Sequence, residues 1–246
     1  MFPLIHFGDV LSEIIFASLL HNQVEIQDGD ILILAQKIVS KAEGRLHNLS
    51  NISPGEKATE LSRITGKDPR FIELVLRESQ AVLRAKPGTL IVEHRLGFIC
   101  ANAGIDHSNV DGEVSNPNDW VLLLPENPEE SAFRIRQEMH KKTGKIIGVM
   151  IIDSHGRPWR MGVVGVTIGY SGIPGLVDMR GKKDLFGYEL KVTQIAAADE
   201  LAASASLLMG QADESRPVIH VRGFPYELRE STFKDLLRPV DQDLFR

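Results

Sequence analysis

Residues 153–157 carry several side chains that can do chemistry, and they come directly after an apolar run. The run covers residues 146–152, and the next five residues read Asp-Ser-His-Gly-Arg. We expect a buried strand that ends here and brings a carboxylate, a hydroxyl, an imidazole and a guanidinium to its tip, although the same letters also suit an ordinary turn. Five glycines in residues 161–175 would let another backbone or a phosphate approach closely. The pattern favours a polar site that accepts anions.

Three other polar segments follow predicted regular elements: residues 36–41, 106–109 and 209–216. Together with residues 153–157, these segments contain four side chains with oxygen ligands: Asp106, Asp153, Ser154 and Gln211. Oxygen ligands suit hard divalent ions such as Mg²⁺ or Mn²⁺ and do not suit zinc or copper. The four segments together therefore predict a divalent metal site.

Basic side chains accompany these oxygen ligands at Lys37 and Lys41, with Arg160 as a third candidate. Metals held by carboxylates, together with lysines, are what phosphoryl transfer requires, because its transition state spreads negative charge over oxygens. We therefore predict a nucleotide site. The sequence lacks the P-loop motif, a Gly-x-Gly-x-x-Gly after a strand, Gly-x-Ser-x-Gly and the paired histidines of a metalloprotease. A P-loop or Rossmann fold and a nucleophile hydrolase are thus disfavoured.

The composition bounds the class of protein. The 246 residues suit one large domain or two small ones, and 43% hydrophobic with 25% charged residues is typical of a globular protein. A net charge of −5 argues against broad binding to nucleic acid or anionic membranes. The single cysteine, Cys100, lies between apolar neighbours and predicts a buried, inert thiol. With no long apolar run and no signal-peptide pattern at its start, the chain is expected to be cytoplasmic.

The elements that must position these segments alternate between helix and strand signals. Helices are predicted after an N-cap at Asp9, after a capping box at residues 53–56, from Asp68, from Asn127 to Gly144, and over residues 193–209. Strands are predicted at residues 31–34, 90–92, 98–101, 120–124, 146–152 and 217–221. We expect an α+β fold with mixed sheets and packed helices. Residues 1–246 form a single unit in this interpretation, with division into two subdomains left open.

Seven motifs occur in an order that is specific in combination. They are residues 2–5 (FPLI), 38–45 (IVSKAEGR), 102–106 (NAGID) with 108–110 (SNV), 153–154 (DS) with 156–157 (GR), 162–165 (GVVG), 180–185 (RGKKDL) and 207–210 (LLMG). Read together, they resemble the coenzyme F-420:L-glutamate ligase family, also called F-420-0:gamma-glutamyl ligases. This family attaches γ-linked glutamates to a deazaflavin cofactor. The chain resembles its stand-alone form, without an appended nitroreductase-like domain.

The resemblance implies a GTP-dependent amide ligase of an unusual α+β fold that works as a homodimer with two divalent ions, Mg²⁺ or Mn²⁺, and with K⁺ as a further candidate. Its substrates would be GTP, L-glutamate and a deazaflavin acceptor, joined through an acyl phosphate. It implies catalytic roles for Asp106, Asp153 and Lys41, and metal ligation by Asp106, Asp153, Ser154 and Gln211. It implies GTP contacts from Phe2, Pro3, Leu4, Ile5, Gln36, Lys37, Lys41, Asn109, Met209, Gly210, Gln211, Ala212, Asp213, Glu214, Ser215 and Arg216.

Two departures from the family pattern concern the metal ligands. Ser154 stands where related sequences often have threonine, and Gln211 stands where some have glutamate, which removes a charge. Two other functions stay open: a non-catalytic nucleotide-binding regulator, and a metal-dependent GTP phosphohydrolase with water as the nucleophile. His107 and His155 are expected to be turn residues or supports for a ligand, because carboxylates already satisfy a hard ion.

Overall fold

The computed structural model describes residues 2–110 and 119–244; Met1 and Arg246, the ends of the predicted unit, lie outside them. The helices are α1 (Leu11–His21), α2 (Gln36–Ala42), α3 (Glu56–Thr65), α4 (Pro69–Arg77), α5 (Pro128–Thr143) and α6 (Ala197–Met209). The strands are β1 (Ile31–Ala35), β2 (Leu46–Asn48), β3 (Ser79–Lys86), β4 (Thr89–His94), β5 (Ile99–Ala101), β6 (Trp120–Leu122), β7 (Gly148–Arg157), β8 (Arg160–Ser171), β9 (Val177–Asp178), β10 (Gln194–Ile195) and β11 (Val218–Val221). In the described part of the chain, no helix has the length and apolarity needed to cross a membrane.

The central sheet has the strand order β11-β1-β7-β8. Strands β1 and β7 run parallel, whereas β11 and β8 are antiparallel to their neighbours. Successive strand side chains point to opposite faces, so Leu32 and Leu34 pack with α1 and α5, while Ile31 and Ile33 pack with α6. Because helices cover both faces, β1 and the first half of β7 are apolar and buried without alternation.

A second cluster of apolar side chains lies outside this sheet. It is built by α3, α4, the antiparallel sheet β3-β4-β5 and the ribbon β2-β6. Its buried members include Leu61, Phe71, Ile72, Val75 and Leu90. The architecture is therefore mixed α and β, with several sheets and packed helices, as predicted.

Local signals fixed several helix ends. Asp68 caps α4 by accepting a hydrogen bond from the Arg70 backbone N–H at 2.8 Å, and Asn127 caps α5 by accepting one from Glu130 at 3.2 Å. Gly66 and Gly144 end α3 and α5 in the left-handed conformation. These predictions are confirmed.

Two predicted helix caps are wrong, because the side chains expected to cap α1 and α3 do not accept a hydrogen bond from the first turn of the helix. Helix α1 begins after Val10, and the Asp9 carboxylate accepts from the His6 backbone instead, at 2.8 Å. Helix α3 begins after Gly55, without a side-chain cap, so the capping box over residues 53–56 does not form. The Gly55 N–H bonds to Glu73 of α4 at 3.1 Å, a partner that local sequence does not indicate.

The strand expected to end at Asp153 continues to Arg157 and forms a hairpin with β8. Asp153 pairs with Val166 and Ser154 pairs with Gly165, so both lie inside a strand and not in a loop. Two glycines of β8 confirm one of the two expectations, the close approach of another backbone. A Cβ atom at Gly165 or Gly169 would clash with α6 or with the start of α5, so these two glycines serve helix packing and not a phosphate.

Asp30, just before β1, ties the edge strand β11 to the sheet. Its carboxylate lies 2.8 Å from both His220 Nε2 and Arg222 Nη2, and it accepts the Gln27 N–H at 2.8 Å. Burial alone would raise its pKa, but the hydrogen bonds from Arg222, His220 and Gln27 outweigh burial and lower the pKa to about 2. The buried carboxylate is therefore held in its charged form.

We expect Asp30→Asn to lower the free energy of unfolding by about 2 kcal/mol at pH 7, because the donors of Arg222 and His220 lose their charged acceptor. Since the folded pKa lies below that of the unfolded chain, this stabilisation is present above pH 3.8 and is lost as the pH falls towards 2. Denaturant unfolding of both proteins from pH 7 to pH 2 tests this. A difference that stays constant over that range would contradict it.

Candidate functional site

A cavity of about 490 Å³ opens where the parallel pairing of β1 with β7 ends, at Ala35 and Ile152. Ala35 pairs with Ile152, so the next residues, Gln36 and Asp153, lie side by side at this edge of the sheet. Carboxyl ends of parallel strands are where ligands bind in open α/β sheets. The N-terminal segment 2–5 and the segment after α6 complete the wall.

The structure brings almost all of the predicted site residues to this cavity. Its lining includes Phe2, Pro3, Leu4, Ile5, Gln36, Lys37, Lys41, Asn109, Asp153, Ser154, Met209, Gly210, Gln211, Ala212, Asp213, Glu214, Ser215 and Arg216. Asp106 does not line it directly but is bonded to Lys37, which does. The sequence interpretation missed the lining residues Ala35, Ile38, Val110, Ile152, Ser206 and Pro217, which adjoin or face the predicted ones.

Lys37 lines the cavity and connects it to Asp106, which lies outside the cavity lining. Its Nζ lies 2.7 Å from Asp106 Oδ2 and donates to the Ser108 hydroxyl at 2.6 Å and carbonyl at 3.0 Å. Ser108 also donates its backbone N–H to Asp106 Oδ1 at 2.8 Å. Burial raises the pKa of Asp106, but the bonds from Lys37 and Ser108 outweigh it and hold the pKa below its usual value. Asp106 is thus a charged carboxylate fixed on both of its oxygens.

Ser154 and Gln211 meet across the cavity, from β7 and from the turn after α6. The Ser154 hydroxyl donates to Gln211 Oε1 at 3.1 Å, and the Gln211 amide donates to Ser206 Oγ at 3.1 Å. Asp153, the neighbour of Ser154, lies 3.0 Å from His155 Nε2. His107 instead stacks on Phe71 with ring centroids 5.2 Å apart. Of the two histidines, His155 is therefore the one that contacts a predicted metal ligand, Asp153.

Gln36, the first residue of α2, is 2% exposed. Its Oε1 accepts from the Ser40 hydroxyl at 2.8 Å, while its buried Nε2 makes no hydrogen bond within residues 2–110 and 119–244. A buried amide donor that lacks a partner is costly. Because Gln36 lines the cavity, this donor is available to a ligand there.

The segment 210–216 is held in shape by its own bonds. Asn109 donates to the Ala212 carbonyl at 3.0 Å, and the Ala212 N–H donates to the Glu214 carboxylate at 2.8 Å. The Glu214 carboxylate lies against Gly210, whose φ of 77° is a backbone conformation that other residues rarely adopt. Glycine at 210 therefore lets α6 end in this tight turn over the cavity.

The donor chemistry fits a hard divalent ion. Asp106, Asp153, Ser154 and Gln211 offer two carboxylates, a hydroxyl and an amide oxygen, and no nitrogen or sulfur. Across the described residues, no three His, Cys, Asp or Glu side chains converge on one point. Any ion bound here would therefore rely on neutral oxygens as well as on the two carboxylates.

Cys100 takes no part in this chemistry. It is buried, and burial with the nearby charge of Asp153 raises the pKa of its thiol to about 12. The predicted inert thiol is confirmed.

Comparison with known proteins decides the family. The model of the F420-0:Gamma-glutamyl ligase family matches residues 1–223. The chain belongs to this family. Proteins named Coenzyme F420:L-glutamate ligase are similar to it almost end to end: that of Methanocaldococcus jannaschii is 45% identical over 91% of this chain and 87% of its own. The protein from Methanothermobacter thermautotrophicus is 43% identical over 99% of this chain and 95% of its own. The protein from Methanopyrus kandleri is 44% identical over 97% of this chain and 92% of its own. The resemblance inferred from the seven motifs is confirmed.

Proposed function

We propose that this protein joins L-glutamate by an amide bond to the deazaflavin F420-0 in the biosynthesis of coenzyme F420, with GTP as the energy source. Relatives with the name Coenzyme F420:L-glutamate ligase share 43–45% of their residues with it over nearly the whole chain. The observation that carries the proposal is the cavity itself. It gathers Lys37 and Lys41 with Asp153, Ser154 and Gln211 at one edge of the sheet.

The proposed chemistry has two steps. A carboxylate oxygen of the acceptor attacks the γ-phosphorus of GTP, which releases GDP and leaves an acyl phosphate. The amine of glutamate then attacks the acyl carbon, loses a proton, and displaces inorganic phosphate to give the amide. Both steps place negative charge on phosphoryl oxygens, and lysines stabilise such charge in a site that excludes water.

The chain's own residues supply binding and orientation for these steps. Lys37 and Lys41 neutralise phosphate oxygens, and the unpaired Nε2 donor of Gln36 is available to a further ligand oxygen. Asp106, Asp153, Ser154 and Gln211 would hold Mg²⁺ or Mn²⁺, with K⁺ as a further cation. When bound, the divalent ions would add positive charge and a template for the triphosphate.

Mass spectrometry of the complete reaction tests the proposal. Purified protein, F420-0, L-glutamate, GTP and Mn²⁺ or Mg²⁺ should give a product heavier by one or more glutamyl units, and omission of any component should abolish it. Phosphate release that needs neither glutamate nor acceptor would favour the phosphohydrolase. GTP that binds but stays intact in the complete mixture would favour the regulator. ATP in place of GTP tests the base preference in the same assay.

We also propose that the protein forms a homodimer through apolar side chains that the single chain leaves in solvent. Leu185 and Phe186 are 97% and 95% exposed, and Met161 at the β7-β8 hairpin is 96% exposed. Leu185 and Phe186 are adjacent in the chain, and neighbouring large apolar side chains that are almost fully exposed are typical of an interaction surface.

Replacing Leu185 and Phe186 together by aspartate should convert a dimer of wild-type protein into a monomer, because each charge would have to be buried unpaired. Light scattering after size-exclusion chromatography measures this. Val240→Asp, at a 64% exposed position near the C-terminus, is the control and should stay dimeric. A wild-type monomer at micromolar concentration would contradict the dimer, and a dimeric double variant would contradict this surface.

A further inference from the structure

We infer that His155 is a positioning residue that sets the orientation of the Asp153 carboxylate in the cavity. The inference rests on the proposed function, in which Asp153 binds a divalent ion. His155 lies two residues after Asp153 along β7, and its imidazole lies against the carboxylate. Neither the family match nor the cavity lining assigns it a role.

The geometry of the strand brings the two side chains together. Asp153 pairs with Val166 and His155 pairs with Val164, so they are two residues apart on one face of β7. His155 Nε2 lies 3.0 Å from Asp153 Oδ2, and both side chains are 13% exposed. Because a carboxylate can only accept a hydrogen bond, Nε2 carries the hydrogen atom and its N–H donates a hydrogen bond to Oδ2. The other oxygen, Oδ1, then keeps its lone pairs for a ligand.

Phe98 holds the imidazole in this orientation. Its ring lies 5.4 Å from the His155 ring between centroids, at an interplanar angle of 42°. On its other sides, Phe98 stacks flat on His94 at 4.9 Å and meets the edge of Phe233 at 6.0 Å. His94 is fully buried, and burial lowers its pKa to about 4, so it is neutral near pH 7. His155 is thus supported by a fixed stack of uncharged rings.

The two predicted carboxylate ligands are therefore held by different groups. Asp106 is bonded to the Lys37 cation and to Ser108. Asp153 is bonded instead to the His155 imidazole, which packs against Phe98. A ligand carboxylate gains affinity for its ion when a neighbouring donor fixes its orientation, typically by about 10- to 100-fold. His155 is in the position to provide this for Asp153.

Two substitutions separate the N–H donor from the ring. His155→Phe keeps an aromatic ring against Phe98 but has no donor, and His155→Gln keeps a donor on a flexible chain. We expect the dissociation constant for Mn²⁺, measured by electron paramagnetic resonance of the free ion, to rise about 10- to 100-fold in the Phe variant. The Gln variant should recover most of the loss. In steady state, the Phe variant should raise the apparent KM for Mn²⁺, while kcat at saturating Mn²⁺ should stay close to that of wild type.

Two further measurements make the result specific. GTP binding in EDTA should be the same in the Phe variant as in wild type, because no divalent ion is involved. His107→Phe, which replaces the histidine beside Asp106 that stacks on Phe71, should bind Mn²⁺ as wild type does. If His155→Phe does not fold by circular dichroism, His155→Leu takes its place as the variant without a donor.

Asp153→Asn distinguishes failure of the inference from failure of the proposed function. If this variant binds Mn²⁺ as tightly as wild type, Asp153 is not a ligand and the proposed metal site is wrong. If it loses Mn²⁺ while the variant without a donor binds as wild type does, the proposed site stands and the role of His155 is wrong. A Gln variant as weak as the Phe variant would likewise overturn the donor role.

Discussion

Asp153→Asn is expected to lower the rate of glutamate ligation by about 10³-fold or more while the protein stays folded. The change removes one negative charge and almost no volume. The strand pairing of Asp153 with Val166 uses backbone atoms, and the asparagine carbonyl can still accept from His155. What is lost is the charge that would hold a cation beside the phosphates. Asp106→Ala should reduce turnover similarly, because it also removes the partner charge of Lys37.

Steady-state rates at saturating substrate, together with thermal unfolding of each variant, measure these effects. Asp178→Asn is the matched control, because that carboxylate is exposed and pairs with Arg180 away from the cavity. It should keep the activity of wild type. Full activity of Asp153→Asn, with normal dependence on the metal ion, would show that Asp153 is not part of the active site.

The parts of the fold that the sequence predicted are those decided by neighbours in the chain. Asp68 and Asn127 cap their helices through backbone groups two or three residues away, and Gly144 ends α5 by its own conformation. The continuous apolar run before Asp153 marked a strand covered on both faces, which β7 is. The parallel pairing of β1 with β7, which brings Gln36 next to Asp153, was not part of that prediction.

The parts that could not be predicted depend on partners far away in the chain. Strand β7 continues past Asp153 because β8 pairs with it, and no residue near Asp153 signals that extension. The capping box that local sequence favours does not form, since α3 begins after Gly55, whose N–H bonds to Glu73 of α4. For the site, the contact of His155 with Phe98 joins residues 57 positions apart, and the pair between Lys37 and Asp106 joins residues 69 apart. Local patterns therefore identified the residue types but not their bonds.

Gly165→Ala is expected to lower the free energy of unfolding by about 2–3 kcal/mol and to impair the site at the same time. A Cβ atom at this position would lie 2.5 Å from Ser206 Cβ and would clash with the Ala202 carbonyl, so α6 must move away from β8. Ser206 accepts from Gln211, and the last residue of α6, Met209, lines the cavity. A shift of the helix therefore moves a predicted metal ligand as well as a packed interface.

Differential scanning calorimetry should show a melting temperature lower by about 5–10 °C, since a domain of this size loses roughly 2–4 °C per kcal/mol. Gly156→Ala in the same hairpin is the control. A Cβ atom at Gly156 meets nothing within 4 Å, and its backbone is not left-handed, so stability and Mn²⁺ affinity should match those of wild type. If Gly165→Ala melts as wild type does, α6 does not pack on β8 this closely. If it melts earlier but binds Mn²⁺ normally, Gln211 does not depend on the position of α6, and the coupling between packing and site is absent.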